Sequence, residues 1–303
     1  MAHLREGATL VVDSVHELCE PLTDLAASLS RVLHEPVEIN AYASCGCHTG
    51  YGPHFDNHDV FIAQIAGRKS WRIFPPGCSE ADAEHDSIER SPPEFEQVID
   101  AGDLLYIPHG QVHEAIGVSE PSLHLSMGVA KRKGIDLLEW TLRQLREDTL
   151  FDRDLPRFAS AEERGRHVAE LWQRLAHAWQ GDPLARYFED MDANAPIHPH
   201  FGLPWIGEPL ALPRDRDRRI RCSGTTWCVS ENADRDDDEF EYRLAGETVK
   251  LPKESRELLR PLLAGDAVEL QHLCRRPGFT QSESEALSVV NDLLRKGILQ
   301  ITQ

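Results

Sequence analysis

The stretch that decides the fold is GPHFDNHDVFIAQ, residues 52–64. It places a histidine and a carboxylate two residues apart at the start of an apolar, β-prone run. Successive side chains of a strand point to opposite faces, so His54 and Asp56 are expected on the same face of a sheet. The stretch therefore predicts two metal-ligand types side by side at the entrance of a β-structure.

A third ligand type follows later in the chain. His113 comes just after another predicted strand, and two histidines with one carboxylate on one face of a metal leave positions open for a cosubstrate and dioxygen. Lys69, on the returning strand of the hairpin, is suited to neutralise one end of a dicarboxylate cosubstrate whose other end chelates iron. These residues indicate an Fe(II)-dependent oxygenase.

Three other histidines compete with this assignment. His58 shares the predicted strand face of the first two ligands and is either a rival ligand or, as we favour, a polar side chain near the substrate. His109 is an alternative third ligand, but it lies in a turn, whereas His113 begins the next strand. His124, inside an alternating strand, is expected to be a hydrogen-bonded core histidine or a support for a ligand.

Short alternating segments separated by turn signals fill roughly the first 130 residues, which is typical of a double-sheet jelly roll. Ser14 is a candidate helix N-cap with Glu17 at the capping-box position. Strands are predicted at residues 7–12, 37–42, 60–65, 69–74, 95–99, 104–107 and 122–129, and a helix at residues 22–33.

Beyond residue 133 the apolar period becomes helical, at residues 135–145 and 161–179. The second helix carries a wide apolar stripe, which packs within the chain or, as we favour, builds a dimer. Residues 182–215, rich in proline and histidine, and the acidic run 232–241 are predicted to be connecting or solvated segments. The last sixty or so residues read as three helices and a closing strand, as in a winged helix.

Charge and cysteine content restrict the class of protein. The formal net charge of −19 over 303 residues disfavours a nucleic-acid-binding surface and suits a basic partner. Seven scattered cysteines indicate reduced thiols and hence a cytoplasmic protein. The N-terminus does not resemble a signal peptide, and no apolar run is long enough to span a membrane.

Five motifs together resemble the JmjC-type ribosomal oxygenases, which are cupin-like Fe(II)/2-oxoglutarate enzymes that hydroxylate ribosomal-protein side chains. The resemblance extends over nearly the whole chain, although the family usually has further residues before Gly7 and commonly has arginine where His109 stands. The motifs are NAY (40–42), the stretch at 52–64, AGRKSWR (66–72), GDLLYIP (102–108) and SLHLS (122–126).

The resemblance implies an α+β fold in three parts. Residues 1–130 would form the JmjC/cupin catalytic domain, a double-stranded β-helix or jelly roll. Residues 131–195 would form a helical dimerisation region, and residues 196–303 a linker with a winged-helix-like C-terminal domain. The protein is accordingly expected to be a homodimer.

The resemblance also implies roles for single residues. His54, Asp56 and His113 would hold Fe(II), and Lys69 would bind the distal carboxylate of 2-oxoglutarate. Asn40 and Tyr42 fall where histidine-hydroxylating members hold the substrate residue, and we group His58 with them as a substrate contact.

The expected reaction is hydroxylation of a histidine or arginine side chain of a basic ribosomal protein, with succinate and CO2 as co-products. Three alternatives stay open: the same chemistry on another peptide or a small molecule, demethylation of a methylated side chain, and a metal-binding cupin module without turnover.

Overall fold

The structure is a computed structural model of the chain. It describes residues 2–46, 50–75, 92–118, 121–195, 217–222, 230–231, 239–244, 247–253, 255–273 and 283–302. The chain divides into two compact units: residues 1–131, 196–226 and 252–303 form the first, and residues 132–195 and 227–251 form the second. The boundaries of these two units differ from those of the three predicted domains, because residues 227–251 group with residues 132–195.

Strands dominate the first 130 residues and helices the middle of the chain. The strands are β1 (Thr9–Val12), β2 (Val37–Ser44), β3 (Asp59–Ala66), β4 (Lys69–Ile73), β5 (Phe95–Ile99), β6 (Leu104–Ile107), β7 (His113–Gly117), β8 (Ser122–Val129), β9 (Arg219–Cys222), β10 (Ser230–Glu231), β11 (Glu239–Leu244), β12 (Glu247–Pro252), β13 (Val268–Glu269) and β14 (Leu299–Thr302). The helices are α1 (Ala2–Arg5), α2 (Glu20–Leu33), α3 (Gly134–Leu145), α4 (Ala161–Ala178), α5 (Pro183–Ala193), α6 (Ser255–Leu263), α7 (Leu270–Leu273) and α8 (Glu283–Arg295), with a short 3-10 helix at Val15–Glu17.

Two antiparallel sheets form the core of the first unit, as the jelly-roll prediction requires. The larger sheet has the strand order β1-β2-β8-β3-β6, and the smaller sheet the order β5-β4-β7. Because side chains alternate along a strand, each sheet has an inner face and an outer face. The mixed α/β fold with antiparallel sheets is consistent with a cupin or JmjC jelly roll.

Each face of the larger sheet buries its own apolar cluster. On the outer face, α2 packs against β2 and β8 through Ala26, Ile39 and Met127, all of them buried. On the inner face, Ile62 of β3 and Trp71 of β4 belong to one cluster, which joins the two sheets. Burial of each large aliphatic side chain stabilises the fold by roughly 1.5–3 kcal/mol.

The N-terminal part of the first unit corrects one expectation. Ser14 precedes the 3-10 helix with a left-handed φ of 50° and makes no side-chain cap hydrogen bond. Its backbone N–H instead donates to Asn40 Oδ1 at 2.8 Å. Ser14 thus occupies the predicted N-cap position, but its side chain does not cap the helix, and a contact with a distant strand holds this turn.

The second unit contains a helix where we predicted a connecting segment. Helix α5 begins with Pro183 after Asp182, whose carboxylate accepts a hydrogen bond from the Ala185 backbone N–H at 2.9 Å. Proline in the first turn and aspartate at the N-cap are ordinary helix-start signals. The prediction for residues 182–215 was therefore wrong for α5, while residues 196–216 lie outside the described residues, as do residues 232–238 of the acidic run.

Helices and a second small sheet complete the described part of the C-terminal region. The strands β9, β13 and β14 form a sheet of order β13-β9-β14, which belongs to the first unit together with α6, α7 and α8. A separate sheet of order β10-β11-β12 belongs to the second unit, apart from the last residue of β12.

Within the described ranges, Cys19 and Cys45 are free thiols. Within the same ranges, none of the helices combines the length and the apolar character needed to cross a lipid bilayer.

Candidate metal centre

His54 and His113 are joined through their backbones. The His54 N–H donates to the His113 carbonyl at 3.0 Å, and the His113 N–H donates to the His54 carbonyl at 2.8 Å. His113 begins β7, whereas His54 precedes β3 and makes only this single bridge. The pairing sets the two imidazole rings side by side, with centroids 4.5 Å apart.

Both imidazoles are fixed in the same tautomer. His54 Nδ1 lies 2.9 Å from the Gly52 carbonyl oxygen, and His113 Nδ1 lies 2.9 Å from the Gln111 carbonyl oxygen. A carbonyl oxygen only accepts hydrogen bonds, so each Nδ1 carries a proton, and in the neutral ring Nε2 is the nitrogen that can bind a metal. Hydrogen bonds of this kind orient the histidines of metal sites.

Asp56 brings a carboxylate to the same place. Its Oδ2 lies 3.6 Å from His113 Nε2, and one ligand atom from each of His54, Asp56 and His113 lies within 4.8 Å of the others. Asp56 is not part of a regular strand, so the expected strand alternation does not explain its direction. Its backbone carbonyl is held instead by the Gly110 N–H, at 2.9 Å.

Burial favours the neutral form of His113. His113 is 3% exposed, and this burial lowers its pKa below the ordinary value, with the nearby His54 acting in the same direction and Asp56 opposing. A neutral imidazole has the lone pair that a metal ion requires.

The competing histidines lie outside this group of three. The ring of His58 packs against Gly128, and its Nδ1 lies 3.2 Å from Asn57 Oδ1. His109 is exposed in the turn before β7, and its backbone N–H donates to Asp59 Oδ1. Among the described residues, the cluster of candidate ligand atoms contains neither of these two histidines.

Lys69 and Trp71 lie on the inner face of β4. Lys69 is 5% exposed and forms no ion pair with a described residue, and burial lowers its pKa from 10.5 to about 8. Trp71 is also buried, and its Nε1–H has no acceptor among the described residues. Its indole lies between two histidine rings, 6.0 Å from that of His113 and 5.4 Å from that of His124.

Sequence reasoning missed Trp71. The residue stands two positions after Lys69, and that spacing on a strand was the available signal for a shared inner face. His124, expected to be a core or supporting histidine rather than a ligand, stacks on the ring of Tyr42. Its Nδ1 is buried with no partner among the described residues, and burial together with the Lys69 charge lowers its pKa to about 3.

Asn40 and Tyr42 lie on β2, beside the candidate centre. Tyr42 is paired with His124 across the sheet, and their rings stack 4.9 Å apart and nearly parallel. Burial raises the pKa of Tyr42, and the charges of Tyr51 and Asp56 act in the same direction. The oxygen of the Asn40 amide already accepts the Ser14 N–H, which limits the groups that Asn40 offers to a further molecule.

Comparison with known families identifies the first part of the chain. Residues 17–137 match the JmjC domain family. These residues form a JmjC domain. They include all four strands that carry Asn40, Lys69, His113 and His124, and the segment that carries His54 and Asp56.

Similar proteins include the bifunctional lysine-specific demethylase and histidyl-hydroxylase NO66 of two flies. The protein of Drosophila yakuba is 26% identical over 251 residues, which is 75% of this chain and 36% of the relative. That of Drosophila mojavensis is 36% identical over 144 residues, which is 44% of this chain and 16% of the relative. The chain thus matches 36% of the length of the first relative and 16% of the length of the second.

Solved structures share the fold over most of the chain. The ribosomal oxygenase YcfD from Escherichia coli, in complex with cobalt and 2-oxoglutarate, has a TM-score of 0.61 and 19% identity, covering 97% of this chain and 78% of that one. Another crystal structure of YcfD gives a TM-score of 0.60 with 20% identity and the same coverage. At this identity the likeness shows the fold.

Proposed function

We propose that the chain is an Fe(II)/2-oxoglutarate-dependent oxygenase that hydroxylates a protein side chain. The observation that carries the proposal is the convergence of His54, Asp56 and His113, with both Nδ1 atoms bonded to backbone carbonyl oxygens so that both Nε2 atoms are left for a metal. The names of the similar proteins, a histidyl-hydroxylase and a ribosomal oxygenase, support the same reaction class.

The donor set fits iron. Two imidazole nitrogens and one carboxylate are the ligands of non-haem Fe(II) oxygenases, whereas a structural zinc site uses four closed ligands and is richer in cysteine. In this assignment the two histidines and Asp56 hold the metal. YcfD, which shares this fold, has been solved in complex with cobalt and 2-oxoglutarate, and this supports the proposal that the chain binds both a metal ion and 2-oxoglutarate.

The inner face of β4 fits a dicarboxylate. A buried ammonium without a carboxylate partner is costly, and a buried indole N–H without an acceptor adds to that cost. A carboxylate bound by Lys69 and Trp71 would satisfy both groups. Ile73 pairs with His113 across the sheet, so Trp71 stands on the strand between the metal side and Lys69. This order suits a short molecule that reaches from the metal to Lys69.

In this function Fe(II) and 2-oxoglutarate supply the oxidation of an unactivated C–H bond by dioxygen, with succinate and CO2 as co-products. The protein residues bind and orient. The Nδ1 hydrogen bonds of the two histidines keep their rings aimed at the metal, and Lys69 fixes one end of the cosubstrate. The apolar inner cluster around Ile62 and Trp71 excludes water.

We infer that the substrate is a basic protein, with a histidine or arginine of a ribosomal protein as the leading candidate. The net charge of −19 favours association with a basic chain, and the relatives' names support a histidyl or ribosomal target. Tyr42, Asn40 and His58 are the proposed substrate contacts. Tyr42 and His58 lie close enough for Asp56 to act on the Tyr42 pKa and for His58 to act on the His113 pKa.

Demethylation of a lysine is the second candidate, because the fly relatives are named as demethylases as well as hydroxylases. Hydroxylation of an N-methyl group releases formaldehyde, whereas ring or side-chain hydroxylation leaves one added oxygen on the substrate. Formaldehyde release therefore separates the two outcomes. A metal-binding cupin without turnover would give neither product.

The domain organisation is part of the proposal. For the helices around residues 131–195 we propose dimerisation, supported by the exposed apolar side chains of Leu142 (56%) and Trp172 (67%). For the C-terminal part we propose a winged helix, supported by the order α6, β13, α7, α8, β14. Sedimentation of wild type and of Trp172→Glu tests the dimer, because a charge in a buried interface would shift the protein to monomer.

The deciding experiment measures succinate formation with Fe(II), 2-oxoglutarate and a ribosomal-protein extract. We expect turnover in wild type, its loss in His54→Ala and Asp56→Ala, and its retention in His109→Ala, a nearby exposed histidine. Intact-mass comparison of the extract then finds the protein that gained one oxygen atom. Iron-independent turnover, or full activity of Asp56→Ala, would refute the ligand assignment.

A further inference from the structure

Asp59 is a buried carboxylate three residues after Asp56, at the first position of β3. It is 5% exposed. Its Oδ1 accepts the backbone N–H of His109 at 2.9 Å, its Oδ2 pairs with Lys131, and the Tyr106 side chain is a further hydrogen-bond partner. The carboxylate thus contacts the turn before β7 rather than the candidate metal itself.

The three candidate ligands come from two chain segments, residues 54–59 and residues 108–113. Neither segment is regular over its whole length, because Asp56 precedes β3 and the turn 108–111 precedes β7. The turn also contains Gly110, with a left-handed φ of 76°, so its geometry is not that of a strand. The distances between the ligands therefore depend on the contacts that tie the two segments together.

Those contacts follow one another along the segments. The backbone pair of His54 and His113 ties one end, and the Gly110 N–H bonded to the Asp56 carbonyl at 2.9 Å lies in the middle. The His109 N–H bonded to Asp59 ties the other end at 2.9 Å. The first two contacts join backbone groups, whereas the last one uses the Asp59 side chain. A single substitution of Asp59 therefore removes this contact without replacing a ligand residue.

We propose that Asp59 is a positioning residue of the metal centre, which holds the turn of His109 against the ligand segment and thereby sets the separation of Asp56 and His113. This inference rests on the proposed function, since it takes the three residues as metal ligands. Side chains that orient ligands from outside the coordination sphere are generally worth 10–100-fold in metal affinity.

We assign this positioning role to the Asp59 Oδ1 that accepts the His109 N–H rather than to the ion pair of Asp59 with Lys131. Lys131 is 66% exposed on its side chain, so water and salt weaken its attraction to Asp59. The His109 N–H, in contrast, donates to a buried oxygen, and this bond is lost when that oxygen is removed. Asparagine at position 59 would keep that oxygen, whereas alanine would remove it.

The test is titration of the metal-free full chain with Co(II), followed by its visible absorption bands. We expect Asp59→Ala to weaken Co(II) binding about 10–100-fold and to change the band shape at saturation. Asp59→Asn should stay within about threefold of wild type, and Lys131→Met should match wild type.

Ser30→Ala is the matched control for a purely structural loss. Ser30 is a fully buried residue of α2 whose Oγ accepts the Val37 N–H at 3.1 Å, so its removal also leaves a backbone N–H without its acceptor. It should lower the melting temperature but leave Co(II) affinity and spectrum unchanged. Wild-type behaviour of Asp59→Ala, or an equal affinity loss in Ser30→Ala, would overturn the inference. Absence of Co(II) binding to wild type would overturn the proposed function instead.

Discussion

The His58 imidazole and the backbone of Gly128 pack so closely that a Cβ on residue 128 would lie 2.8 Å from His58 Nε2. Gly128→Ala is therefore expected to displace the half-buried His58 ring and to destabilise the protein by about 0.5–1.5 kcal/mol, the cost of an unfavourable rotamer. Removing the ring in His58→Ala should abolish most of that cost. Denaturant unfolding of both single variants and of the double variant measures this coupling. An alanine at position 128 that costs as much without His58 as with it would contradict the steric explanation.

Substitution of Lys69 should separate stability from function. Burial lowers the pKa of Lys69 to about 8, whereas in the unfolded chain the pKa is near 10.5. Between these values the unfolded chain binds more protons, so stability rises with pH, and below pH 8 the buried charge imposes its full cost. Lys69→Met should stabilise the metal-free protein at pH 7 by on the order of 2 kcal/mol, and by much less at pH 10.

Thermal unfolding at the two pH values checks this, with Lys296→Met as the control, because Lys296 is an exposed lysine of the same unit. A Lys69→Met variant that is less stable than wild type at pH 7 would show that Lys69 has a stabilising partner.

The affinity for 2-oxoglutarate should depend on the same ionisation of Lys69. It should fall as pH rises, whereas the stability of the protein should rise. Only the protonated amine of Lys69 attracts a carboxylate, so the affinity for 2-oxoglutarate should be constant below pH 8 and fall by up to tenfold per pH unit above it. Calorimetric titration of the Co(II)-loaded protein between about pH 7 and 9 measures this slope. The residual affinity of Lys69→Met should show no such slope, and an identical slope in that variant would assign the ionisation to another group.

Trp71→Phe should weaken cosubstrate binding without weakening metal binding. Phenylalanine keeps a ring between the two histidines but lacks the Nε1–H, which has no acceptor among the described residues. A hydrogen bond to a charged acceptor is worth about 1.5–3 kcal/mol, so the dissociation constant for 2-oxoglutarate should rise roughly tenfold or more. Trp172→Phe, on the exposed side of α4, is the control for the change of residue type. Unchanged 2-oxoglutarate affinity in Trp71→Phe would show that the Trp71 Nε1–H does not bind the cosubstrate.

The strands of the first unit were predictable because they follow from local patterns. Alternation located β2, β4 and β8, and with them the inner positions of Tyr42, Lys69 and His124. The direction of Asp56 was not predictable in this way. It depends on a backbone hydrogen bond from Gly110, which is distant in sequence and has no signature near Asp56.

The turn at Ser14 was only partly predictable. Ser14 occupies the N-cap position, but its side chain makes no cap bond and its N–H is bonded to Asn40 on another strand, so a tertiary contact overrides the local preference. The surroundings of His124, with Tyr42 stacked on its ring and Trp71 edge-on to it, also depend on tertiary contacts. The missed helix α5 differs from these, because its start signal at Asp182 and Pro183 was present in the sequence.

The backbone bridge between His54 and His113 also has a consequence for biosynthesis. The two residues can meet only once His113 has been synthesised, which comes after the intervening strands β3 to β6. Contacts so distant in sequence form late, because the chain must first lose the entropy of a long loop. A nascent chain that ends before His113 therefore carries two of the three proposed ligands and has no partner for the bridge. Tight metal binding would then be restricted to chains in which the bridge between His54 and His113 has formed.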